Sequence, residues 1–102
     1  MLHLIAVITA KSGQRDALLA AFAANVSNVQ AEPGCIEYVA TVDADGFAEL
    51  QAPLGADMFI VVEKWTGSDA LRAHMASPHM VRYSEQTKDL VARRQLHILS
   101  PV

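Results

Sequence analysis

The chain lacks several features that whole classes of protein require. Its single cysteine, Cys35, cannot form an internal disulfide, and no pair of cysteines is present to hold zinc. No apolar run approaches the roughly 20 residues that cross a bilayer, so we predict no membrane span. Eight basic residues stand against eleven acidic ones, and the net charge of −3 argues against a nucleic-acid partner.

Cofactor motifs are also missing. There is no glycine-rich phosphate loop and no nucleophile elbow, so flavin and nicotinamide have no support. His74 and His79 are five residues apart with Pro78 between them, which is not the i, i+4 spacing that places two metal ligands on one helical face. We therefore predict neither a metal nor a bound cofactor.

The chain does have an excess of apolar residues for its size. Hydrophobic residues make up 52% of the 102 residues. This length fits one domain, and this apolar content fits a domain that buries some of its apolar surface against a partner. We therefore expect a homodimer. Met1 leads into a strand pattern without a basic, cleavable leader, so the cytoplasm is the expected location.

Periodicity predicts an α+β fold. Alternating or continuous apolar runs predict four strands, and the 3.6-residue period with capping residues predicts the helices between them. The predicted strands are Leu2–Thr9, Ile36–Val42, Met58–Trp65 and Arg94–Leu99. The predicted helices are Gln14–Ala31, one that begins at a capping box over Thr66–Asp69, and Pro78–Val91, restarted by Ser77 as cap. The order β-α-β-β-α-β is that of a ferredoxin-like sandwich.

A long connection separates the second and third strands. Residues 43–57 include Gly46, Pro53 and Gly55, yet Phe47 and Leu50 make the segment too apolar for a solvated tail. Hairpin loops usually have two to five residues. We predict a lid over a substrate pocket, with contact to another chain or a loop without a role as the alternatives.

Chemistry-bearing side chains gather where the third strand meets the next helix. Glu63 alternates with Trp65 on one face of a central strand, so its carboxyl lies either in water at the sheet end or in a pocket. His74 is either a hydrogen-bonded core group or a base. Trp65 is either a residue beside a ligand or a residue of the core. His79 is either a site residue or a surface residue at a helix start.

The motifs Glu32-Pro-Gly-Cys-Ile-x-Tyr38, Glu63-x-Trp65 and Leu71-x-x-His74-x-x-Ser77-x-His79 resemble the antibiotic biosynthesis monooxygenase family. Its bacterial quinol monooxygenase branch is the most similar, through the segment from Ala73 to Glu85. The resemblance implies a dimeric α+β barrel. The antibiotic-tailoring members have an asparagine and a tyrosine where this chain has Val61 and Leu71. The position of the axial histidine in the haem-degrading members corresponds to a place near Ser84. Both of those activities are therefore disfavoured.

The resemblance implies oxidation of a small quinol by oxygen without a cofactor. Electron transfer to oxygen is easiest from the quinol anion, so His74 is the first candidate base and Glu63 the second. Tyr83, His79 and the Trp65 N–H are candidate substrate contacts, with Phe47 added from the lid. The alternatives are an isomerase of a small phosphorylated signalling metabolite and a non-catalytic module that binds a hydrophobic metabolite.

Overall fold

The chain folds into a four-stranded antiparallel sheet with three helices packed on it. The structure is a computed structural model and describes residues 1–102. The strands follow the spatial order β2-β3-β1-β4. The elements are β1 Leu2–Ala10, α1 Arg15–Gln30, β2 Cys35–Thr41, β3 Met58–Trp65, α2 Ser68–Ala76, α3 Pro78–Thr87 and β4 Val91–Leu99. The ferredoxin-like prediction is confirmed, with the second helix divided into α2 and α3.

The hydrophobic core lies between one sheet face and the helices. Because strand side chains alternate between faces, Leu4 and Ala6 of β1 are buried beside Phe59 and Val61 of β3. Phe22 of α1 covers them from the helical layer, stacked on Tyr38 and edge-on to Phe59. Space remains on the β4 side of the core, where β4 is one of the two edge strands and its side chains are largely exposed.

The opposite sheet face is apolar at its centre and only half-buried. Ile5 and Val7 lie on it next to Ile60 and Val62, with Val39 exposed at one side. The sequences of the first and third strands are apolar at successive positions, so that side chains of this kind lie on both faces of the sheet, and the structure places Ile5, Val7, Ile60 and Val62 on this second face.

Each end of α1 differs from the prediction by one residue, and two other helix boundaries differ for reasons that the structure shows. The predicted helix to Val91 ends at Thr87, whose Oγ1 donates to the Tyr83 carbonyl at 2.7 Å, and Val91 pairs with Ala10 as the start of β4. The predicted capping box at Thr66 does not form. Gly67 occupies the cap position, and the Thr66 N–H instead donates to the Gly34 carbonyl at 2.9 Å.

The start of β2 contains an irregularity that the sequence pattern did not predict. Cys35 pairs with Trp65 and Glu37 with Lys64, so one extra residue is inserted between them. Regular alternation along the predicted strand Ile36–Val42 would place Ile36 on the same face as Tyr38, but the inserted residue breaks that alternation. Tyr38 is buried, whereas Ile36 is 54% exposed.

The turn between α1 and β2 requires glycine at position 34. Gly34 has a φ of +85°, and a Cβ there would lie 2.5 Å from the Ala70 Cβ and 2.6 Å from the Thr66 Oγ1. Gly34→Ala is expected to lower the free energy of unfolding by about 2 to 4 kcal/mol, from backbone strain and overlap together. Gly13→Ala is the matched control, since its φ of +76° faces open space, and should cost about 1 kcal/mol. Urea denaturation measures both; equal losses would contradict the close-packing argument.

Candidate active site

A cavity of about 500 Å³ lies between the sheet and helices α2 and α3. Its walls are mostly apolar and include Phe22, Phe59 and Met80. A few polar groups converge on it, as in many small-molecule sites of this size. Those on which the chemistry depends are Tyr38, Glu63, His74, Tyr83 and Arg94.

Glu32 holds two histidines at one end of this cavity. Its Oε2 lies 2.8 Å from the His74 Nδ1 and 2.8 Å from the His79 Nε2. Glu32 follows α1, His74 lies on α2 and His79 lies in the first turn of α3, so three elements meet at one carboxylate oxygen. A carboxylate is an acceptor, so the His74 Nδ1–H and the His79 Nε2–H donate to it. The Nε2 of His74 is thereby left with its lone pair available.

Glu32, His74 and His79 also form a cluster of side chains that could hold a metal ion. The candidate ligand atoms of Glu32, His74 and His79 all lie within 4.8 Å of one another. Sequence spacing predicted no metal from the two histidines alone, and it did not anticipate that Glu32 joins them from another element. The two hydrogen bonds from the histidines to Glu32 explain why these atoms lie so close together without a metal ion.

Glu63 is buried beside His74. Its Oε1 accepts a hydrogen bond from the Trp65 Nε1–H at 3.0 Å and lies 3.9 Å from the His74 Nε2. Burial disfavours the charged carboxylate and raises the pKa of Glu63 to about 7, against the opposing effects of the Trp65 hydrogen bond and the Arg94 charge. Of the two predicted environments for Glu63, the structure shows the pocket.

Two tyrosines supply hydroxyl groups to the same cavity. Burial raises the pKa of Tyr38 far above its ordinary value and also raises the pKa of Tyr83. Both phenols are therefore neutral at physiological pH and can donate a hydrogen bond to an oxygen atom of a bound molecule.

Three predicted substrate contacts lie outside the cavity lining. The Trp65 ring is fully buried and packs on the His74 ring at a centroid distance of 4.6 Å, with its N–H occupied by Glu63. His79 is occupied by Glu32. Phe47 is 52% exposed and, like the rest of residues 43–57, is absent from the lining. Tyr83, His74 and Glu63 do line it.

The long loop is held at its base, away from this cavity. The Asp43 carboxylate accepts hydrogen bonds from the Leu54 and Gly55 N–H groups at 2.9 and 3.0 Å, and these bonds lower its pKa. Arg15 donates to the Gly55 carbonyl at 3.1 Å. Within one chain the loop does not cover the cavity, contrary to the expectation of a lid, and Leu50 remains 77% exposed.

Reasoning from individual residues missed Glu32, Tyr38 and Arg94. Glu32 directly follows the predicted end of the first helix at Ala31, where a carboxylate is disfavoured by the helix dipole, and that was the available signal. Tyr38 was predicted only as a residue of the second strand. Arg94 was only the predicted start of a strand, and no local pattern distinguishes it from Arg93.

Comparisons with known proteins point to one family. The model of the family described as "Antibiotic biosynthesis monooxygenase" matches residues 1–86. The chain is 37% identical to "Probable quinol monooxygenase YgiN" of Escherichia coli (strain K12), over 99% of this chain and 98% of that protein. No helix in the chain combines the length and apolar character needed to cross a membrane.

Solved structures show the same fold over the whole chain. PA3566 from Pseudomonas aeruginosa superposes with a TM-score of 0.82 at 29% identity, covering 99% of this chain and 93% of that one. Rv0793 from Mycobacterium tuberculosis gives a TM-score of 0.80 at 27% identity, covering 99% and 94%. The match therefore includes every element that builds the cavity.

Proposed function

The chain belongs to the antibiotic biosynthesis monooxygenase family, and we propose that it oxidises a small quinol-type aromatic substrate with oxygen, without a bound cofactor. The observation that carries the proposal is the orientation of His74. Glu32 accepts its Nδ1–H at 2.8 Å, while the ring lines an apolar cavity with Nε2 toward Glu63. An imidazole held in one tautomer by a carboxylate is poised to act as a general base.

The base is needed because oxygen is a triplet and reacts most easily in one-electron steps. The anion of a quinol gives up an electron far more readily than the neutral diol. An ordinary imidazole with a pKa near 6.5 and a phenol near 10 differ by about 3.5 units, or roughly 5 kcal/mol. Hydrogen-bond donors next to the phenolate oxygen must offset much of this difference.

The cavity offers those donors. The 3.9 Å between the His74 Nε2 and the Glu63 Oε1 allows one substrate hydroxyl to lie within hydrogen-bonding distance of both groups. His74 takes the proton, and Glu63, when protonated, donates to the oxygen. Tyr38 and Tyr83 are further neutral donors on the same cavity. They replace the Trp65 N–H and His79, whose hydrogen atoms are already used.

The electrons and oxygen atoms of the reaction that follows can be fully accounted for. The quinol anion passes one electron to oxygen, and the resulting pair of radicals recombines to a ring hydroperoxide. Loss of water from the hydroperoxide leaves one oxygen atom on the ring as a quinone carbonyl, and the other oxygen atom departs in the water. The ring supplies four electrons in all, two more than simple oxidation of the quinol to its quinone would need, and no external reductant is consumed.

Glu63 gives the reaction a pH dependence. Because its pKa is raised to about 7, the carboxyl keeps its proton below that pH and becomes an anion above it. The groups around it are the Trp65 N–H, His74, Arg94 and Glu32. We expect kcat/KM, after subtraction of the protein-free rate, to fall as pH rises through about 7, since an anion there opposes the phenolate.

Glu63→Gln is the matched variant, because a neutral amide of the same shape cannot ionise. It should remove the descent near pH 7. If the wild-type rate instead rises through pH 7 and Glu63→Gln abolishes that rise, Glu63 rather than His74 is the base.

Oxygen uptake separates the proposal from its alternatives. An isomerase of a phosphorylated metabolite and a non-catalytic binding module consume no oxygen. An oxygen electrode with a panel of soluble quinols therefore tests the reaction class directly. Uptake that does not exceed the protein-free rate with any quinol of the panel would remove the monooxygenase proposal.

We also propose that the protein works as a homodimer. The uncovered sheet face around Ile5, Val7, Ile60 and Val62 supports this, because a half-buried apolar face of that kind is commonly covered by a second copy. Sedimentation at micromolar concentration should give twice the mass of 11.0 kDa, and Val62→Lys should shift it toward the monomer. A monomeric wild-type protein would contradict the proposal.

A further inference from the structure

Arg94 places an unpaired cation on the wall of the cavity. It lies on β4 opposite Ile8, on the sheet face that carries the core, and it lines the cavity with Leu96. The ion pairs of the structure involve other residues, and no carboxylate lies within 4.0 Å of its guanidinium.

Neighbouring cations do not share this position. Lys88 also lines the cavity, but its Nζ is paired with Glu85 at 3.1 Å. Arg93, the adjacent residue in the sequence, lies opposite Thr9 on the other face of the sheet and is absent from the lining. Of Lys88, Arg93 and Arg94, only Arg94 therefore presents a positive charge without an ion-pair partner to the cavity.

The charge of Arg94 acts on the interior of the site. It lowers the pKa of Glu63, of Tyr38 and of Tyr83, in each case against the larger opposing effect of burial. A negative charge placed in the cavity would be stabilised by the same field. The remaining walls are mostly apolar and suit an aromatic ring.

We propose that Arg94 binds a carboxylate carried by the substrate, so that the substrate class is a dihydroxylated aromatic acid. The diol part of this assignment rests on the proposed function; the acid part rests on Arg94. A guanidinium presents two parallel N–H groups that match a carboxylate, and one free cation balances one negative charge. The ring then extends from Arg94 into the cavity toward Glu63 and His74.

Binding measured under argon tests this without any turnover. Isothermal titration calorimetry compares 2,5-dihydroxybenzoate with methylhydroquinone, which has the same diol and a neutral methyl group in place of the carboxylate. The wild-type protein should bind the acid about tenfold more tightly, the expected size of a partly exposed charge-assisted contact. Arg94→Gln should remove the preference, and Arg94→Lys should keep part of it.

Arg93→Gln is the matched control, because it removes the same charge from the opposite face of the same strand. It should retain the wild-type preference. A preference that is absent in the wild type, that survives in Arg94→Gln or that disappears in Arg93→Gln would overturn the assignment. Tighter binding of 4-hydroxyphenyl phosphate than of 2,5-dihydroxybenzoate would show a site for a phosphate group and would overturn it as well.

The two proposals fail separately. If the acid binds preferentially through Arg94 but no oxygen is consumed, the substrate class stands and the oxygen chemistry is wrong. If oxygen is consumed equally with both diols and Arg94→Gln changes neither KM, the chemistry stands and the substrate class is wrong.

Discussion

His74→Asn is expected to lower kcat/KM by about 10² to 10⁴-fold, the usual contribution of a positioned general base. Asparagine can still donate from its amide to Glu32 in place of Nδ1–H, but it has no basic nitrogen at the position of Nε2. Because His74 is buried, with only 1% of its surface exposed, the thermal unfolding temperature must be measured with the activity. The asparagine variant separates loss of the base from loss of the Glu32 hydrogen bond.

A second readout follows the proton directly. Under argon, binding of a chromogenic quinol to the wild-type protein should produce the absorption of its anion, and His74→Asn should reduce that signal together with aerobic turnover. A folded His74 variant with wild-type turnover from pH 5 to 9 would exclude His74 as the base and favour Glu63.

Glu32→Gln is expected to lower kcat by roughly 10² to 10³-fold while leaving the substrate KM nearly unchanged. Glu32 does not line the cavity, so it is a positioning residue that acts through His74. Glutamine offers one carbonyl oxygen to two histidine donors and has no charge to stabilise the imidazolium that forms. The split between kcat and KM is the readout, since a general loss of fold would alter both.

His79→Gln is the control for this variant. It replaces the His79 imidazole by a neutral amide, whose N–H can still donate to Glu32, and leaves the contact between Glu32 and His74 in place. We expect kcat to change by no more than about threefold, because the tautomer of His74 is still fixed. If His79→Gln and Glu32→Gln have the same effect, the cluster matters as a structural unit and the positioning role of Glu32 is wrong.

Much of the fold was predictable because its signals are local. The apolar run from Met58 to Trp65 gave the observed bounds of β3, and Ser77 followed by Pro78 marked the break between α2 and α3. Boundaries failed where a tertiary contact decides them. Val91 continues a helical pattern, but its pairing with Ala10 makes it the first residue of β4.

The site was predictable only in part, because its residues come from distant parts of the chain. Glu63, His74 and Tyr83 lie near one another in the sequence and were identified together. Glu32 lies 42 residues before His74, and only the fold brings its carboxylate to the imidazole. The loop prediction failed for a different reason: the apolar character of Phe47 shows that it needs a neighbour but not where the neighbour lies.

Labelled oxygen tests the central claim most directly. Protein treated with a chelator and desalted is given ¹⁸O₂ and a quinol, while oxygen uptake, hydrogen peroxide and the mass of the product are followed. Proton abstraction by His74 and recombination in the cavity predict one oxygen molecule consumed per quinol, one ¹⁸O atom in the quinone and no peroxide. Oxygen uptake and incorporation of ¹⁸O should both be lost in His74→Asn. Unlabelled quinone formed with one peroxide per quinol, at a rate that His74→Asn does not change, would contradict the account.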